Sequence, residues 1–279
     1  MPLFPIPEPY DFALSTERFR RFGPDLANLW HEGGLHRVVG TREVRIESAP
    51  GGVLVEPLDE EIAAEVGKLL GLEFDLPGFE RFGRESDPTL AGLVDRFEGY
   101  RPPVAPDPFE TLVTSITAQQ VSLASAFAIR SRMIERLGER ARIAYAFPTR
   151  KRLALAAPEE LTAAGFSRRK AEYVIGLAQQ DVDYDEFDRL ADDDVKSRLV
   201  AVRGLGEWTA DWFLARHLAR PQAWPAGDLG LRKAVGAFYG DDPLPTIEEV
   251  RLLGARFAPY QNLTAHYLLA GLYLVGPDA

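Results

Sequence analysis

The sequence of 279 residues contains no cysteine. Neither a disulfide nor a cysteine-ligated iron–sulfur cluster can therefore form, and the composition fits a reducing cytosol. Histidine is scarce as well, with four scattered residues, so we expect no zinc site. No apolar run approaches the roughly 18 residues that a membrane-spanning helix needs, and residues 1–5 lack the basic start and apolar core of an export signal. We expect a cytoplasmic protein without a membrane partner.

Positive charge is also in short supply: 32 Lys and Arg stand against 42 Asp and Glu, a net charge of −10, which is unfavourable for binding a polyanion. The deficit is concentrated in residues 1–105, with 11 basic and 19 acidic residues, and in residues 181–194, with one arginine and eight acidic residues. The remaining sequence holds 20 basic and 15 acidic residues, with clusters at 150–152, 168–170 and 232–233. Each cluster alone also fits a solvated helix face. Together they predict a local basic groove on an acidic protein.

The first hundred residues have a mixed hydrophobic periodicity. Short, partly alternating segments predict an antiparallel meander of strands at 35–39, 43–47 and 53–56. Apolar residues at helical spacing predict helices at 17–29, 59–70, 76–82 and 89–97. The proline-rich segment 102–106 is the expected boundary. We expect a small α+β domain over residues 1–104.

The sequence after this boundary predicts only helices. Asp107 is a typical N-cap residue, Pro108 suits the first helical position and Glu110 the third, which together mark a helix start. This helix is expected to run towards Leu137 with a break near Gln119. Further helices are predicted at 149–157, 158–163, 167–180, 192–201, 207–217, 229–238, 247–257 and 260–275. Residues 105–279 are therefore expected to form an all-α domain.

Two glycines mark the most informative turn between these helices. Gly204 and Gly206 flank a single leucine, so the backbone can turn sharply and expose its N–H groups. The helix that begins near Glu207 points its positive end at the same place, which favours a bound phosphate. Such an anchor contacts a nucleic-acid backbone and not the bases, so it would hold any base sequence. A plain tight turn between two helices is the alternative interpretation.

Four motifs together resemble the helix-hairpin-helix DNA glycosylases and, within that family, the 3-methyladenine DNA glycosylase II type. They are the hairpin at 202–210, Asp228 with the helix start at 229–234, the segment 107–110 running into 116–122, and the looser segment 164–172. The resemblance extends from Asp107 to the C-terminus. It implies a partner, double-stranded DNA with damaged bases, bound by a monomer that is associated with the nucleoid. It also implies that the N-terminal α+β domain resembles the TATA-binding protein fold.

The resemblance assigns the catalytic role to Asp228. When an N-glycosidic bond lengthens, positive charge grows on the sugar and negative charge on the departing base, and a carboxylate beneath the sugar stabilises the first charge. The same carboxylate can orient or deprotonate the attacking water. An N-cap of the helix from Leu229 is the alternative role for this aspartate, and the two roles are compatible.

Trp208 decides between two mechanisms in this family. Members that also cut the strand carry a lysine at this position, whose amine forms a Schiff base with the sugar. Because this chain has tryptophan there, the resemblance implies a monofunctional enzyme that uses water and has no lyase activity. The hairpin residues Gly204, Gly206, Trp208 and Thr209 are the expected DNA contacts. Gln120 is expected to fill the gap that a flipped base leaves, and an ordinary polar residue at a helix break is the alternative role for it.

Three aromatic residues are expected to line the base pocket: Trp208, Trp212 and Tyr260. Family members carry electron-rich aromatic side chains at these positions, where a cationic alkylated purine would gain a cation–π interaction. Packing in the core is the alternative role for aromatic residues at helical spacing.

The predicted protein is thus an α+β domain followed by an all-α helix-hairpin-helix domain. The predicted function is a DNA glycosylase that hydrolyses alkylated purines of the 3-methyladenine and 7-methylguanine type and leaves an abasic site. A glycosylase for deaminated, etheno or oxidised bases and a non-catalytic damage-binding module are the alternatives. No cofactor is expected, and a monovalent cation held by the hairpin carbonyls stays an open question.

Overall fold

The computed structural model of the chain describes residues 1–240 and 244–275. Within these ranges the N-terminal region forms a five-stranded antiparallel sheet with the strand order β1-β5-β4-β3-β2. The strands are β1 Leu3–Pro5, β2 Asn28–His31, β3 Gly34–Val39, β4 Arg42–Ala49 and β5 Gly52–Glu56. The predicted meander is confirmed as β3 to β5, because alternating residues such as Val44 and Ile46 bury one face of the sheet.

The helix predicted at 17–29 is wrong. This part of the chain forms two single-turn helices, α1 (Phe12–Ser15) and α2 (Arg18–Arg21), and then β2. Gly23, at φ +108°, and Pro24 end the helical path because neither residue favours its continuation. Strands β1 and β2 are not predicted because they are only three and four residues long and depend on pairing with β5 and β3.

The longer helices begin and end close to their predicted positions. Asp107 caps the helix that starts at Pro108, and this helix ends at Ala118, so the predicted break near Gln119 is confirmed. The helices are α3 Glu60–Leu69, α4 Leu76–Ser86, α5 Pro88–Arg96, α6 Pro108–Ala118, α7 Leu123–Leu137, α8 Arg150–Ala154, α9 Pro158–Ala163, α10 Arg168–Gln179, α11 Asp192–Val200, α12 Glu207–Arg216, α13 Leu229–Tyr239, α14 Ile247–Gly254 and α15 Gln261–Ala270. Short 3-10 turns cover Asp185–Arg189 and Ala255–Phe257, and a π-helical turn covers Gly271–Val275.

The described residues form three hydrophobic cores. In the first, Ile62 and Val66 of α3 pack against the sheet. The second joins the helices from α6 to α12, and the third joins α4 and α5 to α13 and α15. The coarse fold, a sheet followed by helices, is as predicted. The boundary predicted at residue 104 does not separate two cores, because α4 and α5 precede it but pack with helices that follow it.

A buried ion-pair network joins the sheet to the helices. Glu110, in the first turn of α6, contacts Arg37 of β3 at 3.0 Å and also Arg130 of α7. Arg37 contacts Glu65 at 2.6 Å, and Arg130 contacts Asp25 at 3.1 Å. Burial alone would raise the pKa of Glu110, but the charges and hydrogen bonds of Arg37 and Arg130 lower it to about 2. The carboxylate is therefore ionised at neutral pH and fixes β3, α6 and α7 relative to one another.

Neutralising Glu110 tests this junction. We expect Glu110→Gln to lower the free energy of unfolding by about 3–5 kcal/mol, because two buried arginines lose the carboxylate that they share. The pKa of Glu110 is lowered from its ordinary value of 4.5, so its contribution is present above that pH and is lost as the pH falls towards 2. Chemical denaturation at several pH values measures both effects.

Glu61 provides the matched control because its ion pair with Arg42, at 2.8 Å, is exposed. Glu61→Gln should change the free energy of unfolding by less than about 1 kcal/mol. Equal effects of the two substitutions would show that the Glu110 network does not hold the junction.

Candidate functional site

Asp228 accepts hydrogen bonds from two different helices. Its Oδ1 atom accepts from the Leu231 backbone N–H at 2.9 Å, which makes Asp228 the N-cap of α13. Its Oδ2 atom accepts from Trp208 Nε1 at 2.8 Å and from Trp212 Nε1 at 3.0 Å. An ionised carboxylate has about four acceptor positions, so at least one remains for a further donor such as water. The capping role is therefore present together with a fixed, half-buried carboxylate.

The two tryptophans reach one carboxylate because they lie four residues apart on α12 and share a face of that helix. Arg216 continues the row by another four residues, and its guanidinium carbon lies 3.6 Å from the ring centroid of Trp212. Trp212 is only 3% exposed and also meets His266 edge to face at 5.8 Å. Trp212 thus belongs to the core and to the site at once. Trp208 is half-buried and lines a surface groove, here called the groove, together with Gln120, Gly204 and Asp228.

The hairpin before α12 requires glycine at one position. Gly204 has φ +97°, and a Cβ atom there would lie 2.4 Å from the ring of Tyr173. Gly206 has φ −128° and is the N-cap of α12, with no atom within 4 Å of an added Cβ. Among the described residues, no acceptor bonds the backbone N–H groups of 206 to 209. The hairpin therefore presents free donors at a helix N-terminus, as the glycine motif predicts.

The loop between α6 and α7 is tied to this hairpin. Gln119 donates from Nε2 to the Gly204 carbonyl oxygen at 2.9 Å. Gln120, next in the chain, is exposed and has φ +56°, a strained conformation for a residue other than glycine. Gln120 lines the same groove as Gly204, Trp208 and Asp228. The residue predicted to enter the DNA gap therefore stands beside the predicted catalytic carboxylate.

Basic side chains dominate the charged lining of this groove. Arg169, Lys170 and Lys233 line it together with one carboxylate, Asp228. The Lys170 amine donates to the Thr117 carbonyl oxygen at 2.9 Å, and burial lowers the pKa of Lys170. Two of the predicted basic clusters thus contribute to the groove. The cluster at 150–152 does not line it, and two of its arginines bind neighbouring helices instead.

Thr209 and Tyr260 do not present the side chains that the motifs predict, although Thr209 lines the groove. Thr209 is 1% exposed and its hydroxyl is buried without a partner in the described structure, so only its backbone N–H could reach DNA. Tyr260 does not line the cavity that Trp208 and Trp212 line. Its hydroxyl donates to Asp75 at 2.8 Å, and its ring packs on Phe82 of α4 with the centroids 5.3 Å apart. Tyr260 is the N-cap of α15 and contacts α4 through Phe82. Its ring therefore packs against the third hydrophobic core.

A second cavity, here called the inner cavity, lies behind the two tryptophans. Trp208 lines both the groove and this cavity, so that it stands between them. Arg216 lines the inner cavity together with Arg18 of α2. The sequence motifs did not assign these arginines to a site. The spacing of 208, 212 and 216 on one helix face was the available signal for Arg216.

Other kinds of site find no support in the part of the chain that the structure describes. It contains no group of three or more His, Asp or Glu side chains arranged to hold a metal ion. None of its helices combines the length and apolar character needed to cross a bilayer.

The two hairpin glycines offer a matched pair of substitutions. We expect Gly204→Ala to lower the free energy of unfolding by about 1–3 kcal/mol, because the new Cβ meets Tyr173 at a positive φ. Gly206→Ala, which has open space and an ordinary φ, should change it by less than about 0.5 kcal/mol. Chemical denaturation compares the two, and a larger effect at Gly206 would contradict the hairpin geometry.

Comparisons with known proteins agree with this arrangement. A sequence profile for the "HhH-GPD superfamily base excision DNA repair protein" family matches residues 113–259. The chain is 28% identical over 222 residues to a DNA-3-methyladenine glycosylase of Bacillus subtilis, covering 77% of this chain and 73% of that protein. It is 27% identical over 216 residues to DNA-3-methyladenine glycosylase 1 of Schizosaccharomyces pombe, and the match covers 75% of this chain and 90% of that protein.

The fold is shared along almost the whole chain with a solved 3-methyladenine DNA-glycosylase from Archaeoglobus fulgidus. The TM-score is 0.88, the sequences are 24% identical and 99% of each chain is covered. The family profile matches more than half of this chain. The chain therefore belongs to the HhH-GPD superfamily of base excision DNA repair proteins, as its motifs predict.

Proposed function

We propose that the protein is a DNA glycosylase of base excision repair that flips an alkylated purine out of duplex DNA and hydrolyses its N-glycosidic bond. The observation that carries this proposal is the Asp228 carboxylate, held by two indole N–H groups beside the hairpin. Relatives named DNA-3-methyladenine glycosylases support the substrate class. A solved S. pombe 3-methyladenine DNA glycosylase in complex with abasic DNA, 26% identical with a TM-score of 0.65, supports DNA as the partner.

In this proposal the groove holds the DNA without reading its sequence. The free N–H groups at the start of α12 bind a backbone phosphate, and Lys170 and Lys233 add positive charge. Gln120, which lines the same groove, occupies the gap that the flipped base leaves in the stack. The flipped nucleotide then lies with its sugar near Asp228 and its base beyond Trp208.

The reaction proposed for Asp228 is hydrolysis at the sugar C1′ atom. As the bond between C1′ and the base nitrogen breaks, both electrons leave with the base and positive charge develops on the sugar. The Asp228 carboxylate stabilises this charge and accepts a hydrogen bond from the attacking water. The water oxygen bonds to C1′, and the proton that it loses passes to solvent. An alkylated purine that carries a positive charge is neutralised by the bonding electron pair and leaves as the neutral base. The products are an abasic site and the free base.

Replacing the carboxylate tests this role. We expect Asp228→Asn to reduce the single-turnover rate of base release by about 10²–10³-fold, because a neutral amide cannot stabilise the developing cation. Asparagine also caps helices well, so the fold should persist. Release of methylated bases from alkylated duplex DNA, with thermal unfolding of the same preparation, measures both.

Asp59 is the matched control, because it is also an N-cap aspartate, of α3, and lies in the N-terminal region away from the groove. Asp59→Asn should leave the rate within about twofold of the wild type. The catalytic assignment fails if Asp228→Asn releases bases as fast as Asp59→Asn.

We further propose that the enzyme is monofunctional and leaves the strand uncut. Position 208, where lyases of this family carry the reactive lysine, holds a tryptophan whose Nε1 is bonded to Asp228. We expect no covalent protein–DNA adduct when borohydride is added during turnover, and no strand cleavage before alkali. Lys170 and Lys233 line the groove, so an adduct that disappears in Lys170→Ala or Lys233→Ala would contradict the proposal and identify the amine.

The N-terminal sheet has a supporting role in this proposal. Five antiparallel strands with α3 packed on one face support its likeness to the TATA-binding protein fold. The sheet contacts the helical region through Arg37, which pairs with Glu110, and through Glu43, whose Oε2 atom accepts from the backbone N–H groups of 142 to 144. Neither Arg37 nor Glu43 lines the groove.

A further inference from the structure

Tyr273 lies beside Asp228 in the groove, although the sequence motifs did not assign it to a site. It belongs to the π-helical turn Gly271–Val275, is exposed, and lines the groove together with Asp228. Its ring meets Phe22 edge to face with the centroids 6.3 Å apart, and its backbone carbonyl oxygen accepts from Arg21 of α2. The end of α2 therefore holds this tyrosine in place at the groove.

Gly230, in the first turn of α13, shows how close the Tyr273 hydroxyl comes to the carboxylate. A Cβ atom added at Gly230 would lie 2.5 Å from the Tyr273 hydroxyl oxygen and 3.0 Å from Asp228 Oδ1. Among the described residues, the hydroxyl bonds neither Asp228 nor any other group. Because both oxygens lie within 3.0 Å of one point, a single water with two hydrogen bonds of about 2.8 Å can join them.

The existing bonds of Asp228 leave its open acceptor position on the oxygen that adjoins Tyr273. Each carboxylate oxygen has about two acceptor positions. Oδ2 uses both for the indoles of Trp208 and Trp212, whereas Oδ1 accepts only from the Leu231 backbone N–H. The open position on Oδ1 is therefore available to a water that also reaches the hydroxyl.

The Tyr273 hydroxyl is suited to share a water with a carboxylate. Burial and the charge of Asp228 raise the pKa of Tyr273 above its ordinary value of 10.0, so the hydroxyl is neutral at neutral pH and does not repel Asp228. A hydroxyl can accept a hydrogen bond while its own proton points to solvent. A water that donates one hydrogen bond to Oδ1 and the other to this hydroxyl keeps a lone pair free.

We propose that Tyr273 is a positioning residue which, together with Asp228 Oδ1, holds the attacking water for the C1′ atom. This inference rests on the proposed glycosylase function. The water is oriented before the C1′–base bond breaks, which reduces the entropy lost in the reaction. Its oxygen then bonds to C1′, the bonding electrons leave with the base, and the proton that the water loses passes to solvent. Gly230 keeps the space between the two oxygens open.

Tyr273→Phe removes the hydroxyl and keeps the ring on Phe22. We expect the single-turnover rate of methylated-base release to fall about 5–20-fold, because the water loses one hydrogen bond. The Kd for a duplex with a tetrahydrofuran abasic-site analogue should change less than about twofold. An unchanged rate overturns the proposal, and so does a loss of affinity as large as the loss of rate, because the ring would then only bind DNA.

Tyr239→Phe is the matched control. Tyr239 also directs its hydroxyl at an N-cap aspartate, Asp87 of α5, at 3.1 Å, and neither residue lines the groove. Its rate should stay within about twofold of the wild type. If Tyr239→Phe slows base release as much as Tyr273→Phe does, the hydroxyl of Tyr273 has no special role.

Methanol tests the position of the nucleophile directly. Methanol has one O–H group and can donate to only one of the two acceptors, so the wild-type site should favour water. In the same dilute methanol buffer, we expect Tyr273→Phe to raise the ratio of methyl glycoside to abasic product at least about threefold. Mass spectrometry of the reacted strand measures this ratio. An unchanged ratio would show that Tyr273 does not hold the attacking water.

Gly230→Ala displaces the hydroxyl without removing it. Asp228 is held by three hydrogen bonds and the hydroxyl by none, so the hydroxyl should yield to the new methyl group. We expect a loss of rate like that of Tyr273→Phe and little further loss in the double variant, because phenylalanine has no hydroxyl to displace. Losses that multiply in the double variant would contradict the proposal. Gly92→Ala in α5, with no atom within 4 Å of its new Cβ, is the control.

The two levels of inference fail differently. If the wild-type protein releases no methylated base and Asp228→Asn is no different, the glycosylase function itself is excluded. If Asp228→Asn stops base release but Tyr273→Phe changes neither the rate nor the methanol ratio, only the role of Tyr273 is excluded. Thermal unfolding checks each variant. Should Tyr273→Phe not fold, the rate and the methanol ratio of Gly230→Ala decide.

Discussion

Two hydrogen bonds to one carboxylate oxygen determine how the groove is assembled. Trp208 and Trp212 of α12 donate to Asp228, which also caps α13. These bonds hold the N-terminal half of α12 against the first turn of α13. Both helix N-termini consequently point at one groove, and their dipoles add to the charge of its lysines. A chain with a net charge of −10 thereby presents a locally positive surface.

Features set by neighbouring residues could be predicted from the sequence. The capping role of Asp228 depends on the three residues that follow it, and the break after Ala118 and the Gly204 turn depend on similarly short segments. Strands β3 to β5 were predictable because their segments are short and partly alternating, and in β4 the alternating residues Val44 and Ile46 are the buried ones. That Trp208 and Asp228 belong to one site, 20 positions apart, came from the resemblance to a family and not from the residues alone.

Contacts between distant segments could not be predicted. Tyr260 bonds Asp75, 185 positions away, and no local pattern says which helix an aromatic ring will face. The bond from Gln119 to Gly204 spans 85 positions. Arg216 was overlooked for the same reason: its partner Trp212 is near in sequence, but the cavity around it is closed by α2 and the segment that follows residue 102.

Helix α6 connects the buried carboxylate network with the groove. Its first turn holds Glu110, and its last residue is followed at once by Gln119 and Gln120. A helix of 11 residues is about 16 Å long and curves only gently, so its two ends move together. A displacement of the sheet is therefore transmitted along α6 to the loop that carries Gln120, which Gln119 bonds to the hairpin. A substitution in β3 that touches no groove residue would still alter how deeply Gln120 reaches.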